Sequence, residues 1–306
     1  MPAKKPTPST AKTVGASTTP TKPARPSKPS KPAVQPRGVV GLSLHIGLNK
    51  VNPAHYGGWD GALNACEADA KDMLAIAKKA GFKTTQRLTA TAKAATIIKD
   101  IQAAAAKLQS GDIFLLTYSG HGGQMPDTNG DEPDKQDETW VLFDRQLVDD
   151  ELFALFGSFA KGVRIFVLSD SCHSGTVTRA MPTEPVTGPV PRLMPPVVAA
   201  QTYAAHRRTY DKLQAAVPAR TASMKATLAS VILISGCQDN QVSLDGVRNG
   251  LFTGTLRSVW NEGHFTGNHR RFRDQIAARM PASQTPNYFV AGGSNAAFAA
   301  QKPFSI

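Results

Sequence analysis

The sequence is poor in cysteine, and its three, Cys66, Cys172 and Cys237, lie far apart. That spacing excludes a disulfide-built scaffold and leaves no CxxC pair to hold a metal. No run of 18 apolar residues occurs, so no membrane-spanning helix is expected. The N-terminus carries charge but no apolar stretch, which is not the pattern of a secretory signal. A reducing, cytoplasmic setting is the expectation. Residues 1–37 lack acidic and aromatic side chains altogether, yet hold eight Lys/Arg and nine of the 22 prolines. Such a segment cannot bury enough apolar surface to offset the entropy of ordering. It reads as a disordered basic Pro-rich arm, either solvated or weakly attracted to an acidic partner. Eight of the net twelve positive charges sit there, leaving +4 on the other 269 residues. The pI near 9.7 is therefore a property of the arm, and no specific nucleic-acid partner is expected.

Beyond the arm, residues 38–306 are enough for one large domain. Val39–Ile46 is a short apolar run typical of a buried strand. Leu63, Cys66, Ala70, Met73 and Ala77 then step at helical spacing through residues 60–80, with Gly81 as the stop. Phe82–Leu88 reads as a second strand, 91–108 as an Ala-rich helix, and Ile113–Tyr118 as a strongly apolar strand. Residues 119–139 read as a long polar loop, followed by a strand fragment at Trp140–Phe143. Asp149–Phe156 reads as a short helix capped by its Asp, and Val163–Leu168 as a buried strand. Residues 176–229 hold seven prolines and read as a mobile connector with one helix near 202–216. Val231–Ser235 is another strand, followed by helices near 251–262 and 270–280. The alternation of strands and helices predicts an α/β fold with a mostly parallel sheet covered on both faces.

In such sheets chemistry collects beyond the C-terminal ends of strands. Strand 113–118 runs into Tyr118-Ser119-Gly120-His121-Gly122-Gly123. Strand 163–168 runs into Ser169-Asp170-Ser171-Cys172-His173-Ser174-Gly175. Cysteine catalysis needs a thiol that can ionise, a nearby imidazole, and backbone donors for an oxyanion. His121 and Cys172, on small-residue loops at two strand ends, supply the first two. These paired motifs resemble the signatures of the metacaspase (orthocaspase) branch of caspase-like peptidases. The likeness covers 38–178 and resumes at 230–261, with Ile234-Ser235-Gly236-Cys237-Gln238-Asp239-Asn240-Gln241 and Gly250-Leu251-Phe252-Thr253. The 51 residues from His121 to Cys172 agree with the separation of about 50 in caspases.

The resemblance implies a caspase–haemoglobinase α/β/α sandwich around a six-stranded, mainly parallel sheet. It divides 38–306 into a large-subunit-like part (38–178), a connector (179–229) and a small-subunit-like part (230–306). It implies His121 as base and acid, Cys172 as nucleophile, and the N–H groups of Gly122 and Cys172 as an oxyanion hole. His173 is the alternative base, and Cys237 reads as structural. Substrate binding falls on Asp69 and Asp170, with Cys66 and Ser119 on the pocket wall. Two carboxylates with no arginine among them predict cleavage after Arg or Lys. The chemistry itself requires no cofactor. Metacaspases often bind an activating calcium, and Asp137, Asp149 and Asp150 match three of those ligands. The fourth falls at Arg179, whose charge opposes calcium, and the acidic loop also reads as simply solvated. Partners reduce to a peptide or protein substrate, with the enzyme a monomer. Basic residues from Arg179 to Lys225 make the connector a candidate for self-cleavage within 179–225. The competing readings are a non-catalytic caspase-like module recruiting partners through its arm, and a hydrolase of non-peptide acyl bonds.

Overall fold

The computed structural model describes residues 37–172, 190–238, 241 and 243–306, together with Pro8 and Thr10. The chain divides into Met1–Arg37 and Gly38–Ile306, and the architecture below is that of the second unit. The expectation for the arm, like those for His173 and Arg179, falls outside the described residues.

The elements in chain order are β1 (Gly41–Gly47), α1 (Cys66–Lys79), β2 (Lys83–Leu88), α2 (Ala94–Lys107) and β3 (Ile113–Ser119). Then come β4 (Gly122–Pro126), β5 (Gln136–Val141), β6 (Gln146–Val148), α3 (Asp149–Gly157) and β7 (Arg164–Asp170). The C-terminal half holds α4 (Pro196–Ala215), α5 (Arg220–Ala226), β8 (Ser230–Ser235), α6 (Leu251–Trp260), α7 (His269–Ala277), β9 (Asn287–Gly292) and α8 (Ala296–Ala300). Six strands form one sheet in the order β2-β1-β3-β7-β8-β9, parallel throughout except at β8–β9. The predicted mainly parallel six-stranded sheet is present. The antiparallel β9 was not foreseen.

Alternation along the central strands sorts their side chains into two cores. Phe114, Leu116, Ile165 and Val167 face one way, against Ile97 and Ile101 of α2 and Leu152 and Phe156 of α3. Leu115, Phe166 and Leu168 face the other way, against Met73 of α1, Phe252 and Leu256 of α6, and Phe272 of α7. Both sheet faces are therefore covered, the arrangement parallel strands require. At the end of β1, Gly47 lets α1 approach. A Cβ there would lie 2.2 Å from the carbonyl oxygen of Cys66.

Three expectations fail here. The polar loop at 119–139 instead contributes β4 and β5, which join β6 in a separate antiparallel sheet. Glycine and acid-rich sequence hid their pairing. The cap of α3 is Val148 rather than Asp149, and Glu151 reaches back to the Val148 N–H at 3.3 Å. The described part of the connector is not mobile chain: α4 and α5 pack on the body. Tyr210 is buried and donates or accepts at His55, 2.8 Å away, while its hydroxyl also accepts from the Gln146 N–H.

Candidate active site

Strands β3 and β7 pair in register, Leu116 opposite Val167 and Ser119 opposite Asp170. Two residues past each of those last partners stand His121 and Cys172. The sheet alone therefore brings the two chain segments side by side. Ser119 also faces α1, where its hydroxyl donates to Asp69 at 2.8 Å. Asp69, Ser119 and Asp170 thus come together as the sequence predicted, and Cys66 lies one helical turn from Asp69, fully buried.

The correction concerns arginine. The pocket expected to lack one holds the guanidinium of Arg192, a connector residue that is 0% exposed. It pairs with Asp69 at 2.7 Å, Asp170 at 2.8 Å and Asp245 at 2.9 Å, and donates to Ser119 Oγ at 2.9 Å. The sequence reading weighed only fixed wall residues, so an arginine arriving from a distant segment escaped it. Burial works against the guanidinium's charge, but Asp170, Cys66, Asp69 and Asp245 outweigh it and hold its pKa well above the usual arginine range. Each carboxylate is also held by the frame. Asp170 accepts from Ser243 Oγ and from both the N–H and the hydroxyl of Thr253. Asp69 accepts from Asn249 and the Gly250 N–H. Asp245 accepts from the N–H groups of Asn64 and Ala65. Gly250 makes room for the guanidinium, since a Cβ there would lie 2.5 Å from its carbon. Burial raises the Cys66 thiol to about 12, so this residue is a neutral wall.

The backbone of the same segment is anchored on both sides. Arg192 N–H donates to Ser243 O and Asp245 N–H to Val190 O, both at 2.8 Å, with Pro191 bridged antiparallel to Leu244. Leu193 is bridged parallel to Gly122, and Met194 N–H donates to Gly122 O at 2.8 Å. Between these anchors the carbonyl of Arg192 accepts from Gly122 N–H at 3.0 Å and Cys172 N–H at 3.1 Å. Cys172 packs against Leu193 and Cys237, and its sulfur meets the backbone N–H and carbonyl of Ser243. His121 Nε2 donates to Gly61 O at 3.1 Å, leaving Nδ1 without a hydrogen-bond partner among the described residues. The Leu193 backbone is among the groups facing that ring. Burial lowers the His121 pKa to about 4 and, with Cys237 beside it, raises that of the Cys172 thiol well above its usual range. Both groups are therefore neutral in this state. They make no hydrogen bond to each other, and the Arg192–Leu193 peptide touches both. Cys237 is thus nearer the site than its sequence position indicated.

Residues 50–292 match the family model described as the caspase domain. The chain belongs to the caspase family. Metacaspase-1 of Mycosarcoma maydis is 30% identical over 246 residues, 69% of this chain and 59% of that protein. Metacaspase-1 of Saccharomyces cerevisiae strain S288c is 32% identical over 188 residues, 53% of this chain and 44% of that protein. This caspase-family chain thus spans about half the length of the curated relatives it matches. A crystal structure of a protein from Geobacter sulfurreducens aligns with TM-score 0.80 and 53% identity, covering 87% of this chain and 98% of that one.

In the acidic loop, one ligand atom each of Asp127, Asp131 and Asp137 lie within 4.8 Å of one another, and the carboxylates of Asp149 and Asp150 stand near enough to act on Asp137 as well. Asp149 is taken by Arg220 at 2.9 Å, and Asp150 accepts from Asn129 at 2.6 Å. Both oxygens of buried Asp137 lack a hydrogen-bond partner among the described residues. The residues that sequence reasoning missed at the main site are Asp245, Ser243 and Asn249, which lie on a loop without periodicity. Pro189 and Pro191 before Arg192 were the signal available, since prolines favour an extended path.

Proposed function

We infer that this protein is a cysteine endopeptidase that hydrolyses peptide bonds after Arg or Lys. One observation carries the reading: an arginine side chain is enclosed by three carboxylates while its own carbonyl meets the N–H groups of Gly122 and Cys172. A pocket of net negative charge lined by pre-positioned donors suits a cationic P1 side chain and rejects an acidic one. Asp69, Asp170 and Asp245 would bind that cation, with Ser119 and Cys66 on the wall. Cys172 would attack the carbonyl carbon after losing its proton to His121. The two N–H groups would stabilise the oxyanion. His121 would then protonate the leaving amine, and water would release the acyl group. The neutral resting pair fits this order, since the proton moves only when a substrate carbonyl is in place.

Calcium, which the family likeness implies, suits Asp137, a buried carboxylate with two unpartnered oxygens. Asp137, Asp127 and Asp131 would hold it, and it would supply neutralising charge there rather than a step at Cys172.

The test is a set of fluorogenic peptides differing only at P1. Arg and Lys peptides are expected to be cut and Asp peptides to resist. Cys172→Ala and His121→Ala should each abolish cleavage while keeping the far-UV spectrum of the parent. Preferred cleavage after Asp would overturn the pocket, and full activity in either variant the dyad. A protein inert to every peptide after any connector cut would favour the non-catalytic module.

A further inference from the structure

Trp59 lies outside the strand-end motifs, yet its indole rests against the imidazole of His121, with ring centroids 4.8 Å apart and planes at 58°. The loop between β1 and α1 is built to put it there. Val51 N–H donates to Asp60 O at 2.8 Å, and Trp59 N–H to Tyr56 O at 3.1 Å. Tyr56 is fully buried, donates its hydroxyl to Leu142 O at 2.6 Å, and sets its ring nearly perpendicular to the indole. Gly61 completes the arrangement. Its φ of +56° is left-handed, and a Cβ there would fall 2.9 Å from the indole and 3.2 Å from the imidazole. Only a residue without one lets both rings and the Gly61 carbonyl meet. A tryptophan serving the core alone would be enclosed by it; Trp59 is half-buried at its border and reaches out to His121. We propose that Trp59 is a positioning residue for His121, holding the imidazole so that Nε2 stays on the Gly61 carbonyl and Nδ1 is the nitrogen offered to Cys172. This rests on the reading of His121 as the base of a cysteine peptidase, and adds what fixes its tautomer and orientation.

A carbonyl oxygen only accepts, so Nε2 of neutral His121 carries its hydrogen and Nδ1 is bare. The main chain of His121 is fixed separately, by the Tyr118 hydroxyl donating to His121 O at 2.7 Å. What remains free is rotation of the ring, and one hydrogen bond does not fix a plane. The indole beside the ring blocks that rotation. A turned ring would leave Gly61 O and point a C–H at the thiol in place of Nδ1. Proton transfer needs donor and acceptor within hydrogen-bond reach, and a displacement of about 1 Å can cost about 100-fold in rate. The indole also helps to keep water from the ring, which is 4% exposed. Burial is the main reason the His121 pKa falls to about 4. Arg192 lowers it further, while Asp245 and the Gly61 and Leu193 backbone act the other way. Without the indole, the ring should loosen, the two tautomers should mix, and its titration should rise toward the ordinary 6.5.

The experiment reads His121 directly by NMR of full-length chain carrying ring-15N histidine, with the His121 signals identified by their loss in His121→Gln. Wild type should show one neutral tautomer, hydrogen on Nε2, and a titration well below 6.5. Trp59→Ala should show both tautomers and a titration raised by about one pH unit or more. Trp59→Phe, which keeps a ring against the imidazole, should return to the wild-type pattern. With Arg-P1 peptides, kcat should fall about 10- to 100-fold in Trp59→Ala while KM stays within about twofold, and Trp59→Phe should recover most of the loss. If Trp59→Ala loses the parent's far-UV spectrum, Trp59→Leu takes its place with the same expected direction. A wild-type tautomer and titration in the Ala or Leu variant would overturn the inference, whatever the activity. So would a raised KM with kcat unchanged, which would make the indole a substrate contact. A wild type that cuts no peptide, while its His121 tautomer still depends on Trp59, would uphold the positioning and overturn the peptidase reading.

Discussion

Two clusters of carboxylates, around buried Arg192 and around buried Asp137, are compensated very differently. Around Arg192, three aspartates share one guanidinium and a set of N–H, hydroxyl and amide donors. Around Asp137, Asp127, Asp131 and Asp150 stand close, yet among the described residues neither Asp137 oxygen has a donor. The nearby cation, Arg220, is engaged by Glu132, Glu138 and Asp149. The first site is organised by the fold to hold a guanidinium. At the second, no described donor meets Asp137, and burial beside like charges favours its protonated form. Burial, then Asp149, Asp150, Asp127 and Asp131, push the Asp137 pKa up to about 8. Number of acids does not separate the two sites; the supply of fixed donors does.

The strongest break in this comparison comes from removing the cation of the first site. In a Cys172→Ala background, Arg192→Ala leaves three buried carboxylates without their counter-charge. Losing one partner of a buried pair costs roughly 3–5 kcal/mol, and entry of water into the emptied pocket favours the low end. Urea unfolding should therefore give a loss of about 3 kcal/mol. A loss below about 1 kcal/mol, the range of a surface pair, would mean that the frame donors alone satisfy the aspartates. Asp170→Asn tests the same site at lower cost. A hydrogen bond to a charged group is worth about 1.5–3 kcal/mol, so kcat/KM for Arg-P1 peptides should fall about 10- to 100-fold. Asp245→Asn should act in the same direction. An unchanged value for both variants would remove them from substrate recognition.

Much of the first site was legible because its parts follow strand ends. The apolar runs 113–118 and 163–168 predict adjacent buried strands. The register of β3 and β7 then carries Ser119, Asp170, His121 and Cys172 to one edge. Asp69 followed from the family likeness and the helical spacing of α1. Asp245 was not legible, because the loop between Cys237 and Gly250 carries no period. Arg192 was visible only as one basic residue among several, since its place depends on how the connector crosses the sheet. The second sheet escaped for another reason. Gln136–Val141 opens on the polar run Gln136-Asp137-Glu138, in which the buried residue is an acid, so its composition resembles a loop.

The smallest expected effect sharpens the second half of the comparison. An Asp carboxyl in the unfolded chain titrates near 4. With Asp137 raised to about 8 in the fold, the native state holds a proton across about pH 4–8 that the unfolded chain has released. Stability from this group must therefore decline as pH rises through that window. Asp137→Asn removes the titration, so in chelator at pH 8 its Tm should exceed that of the parent. At pH 5 the two should converge. His45, His55 and His269 act with the opposite sign. Burial lowers them to about 3, 4 and 4, so their contribution is lost as pH falls below 6.5. They are common to both proteins and cancel in the difference. Calcium should raise the parent's Tm more at pH 8 than at pH 5, because the ion displaces the proton, and the Asn variant should lose most of that gain. Equal Tm for parent and variant in chelator at both pH values would show that Asp137 is already compensated, and the contrast between the two clusters would disappear.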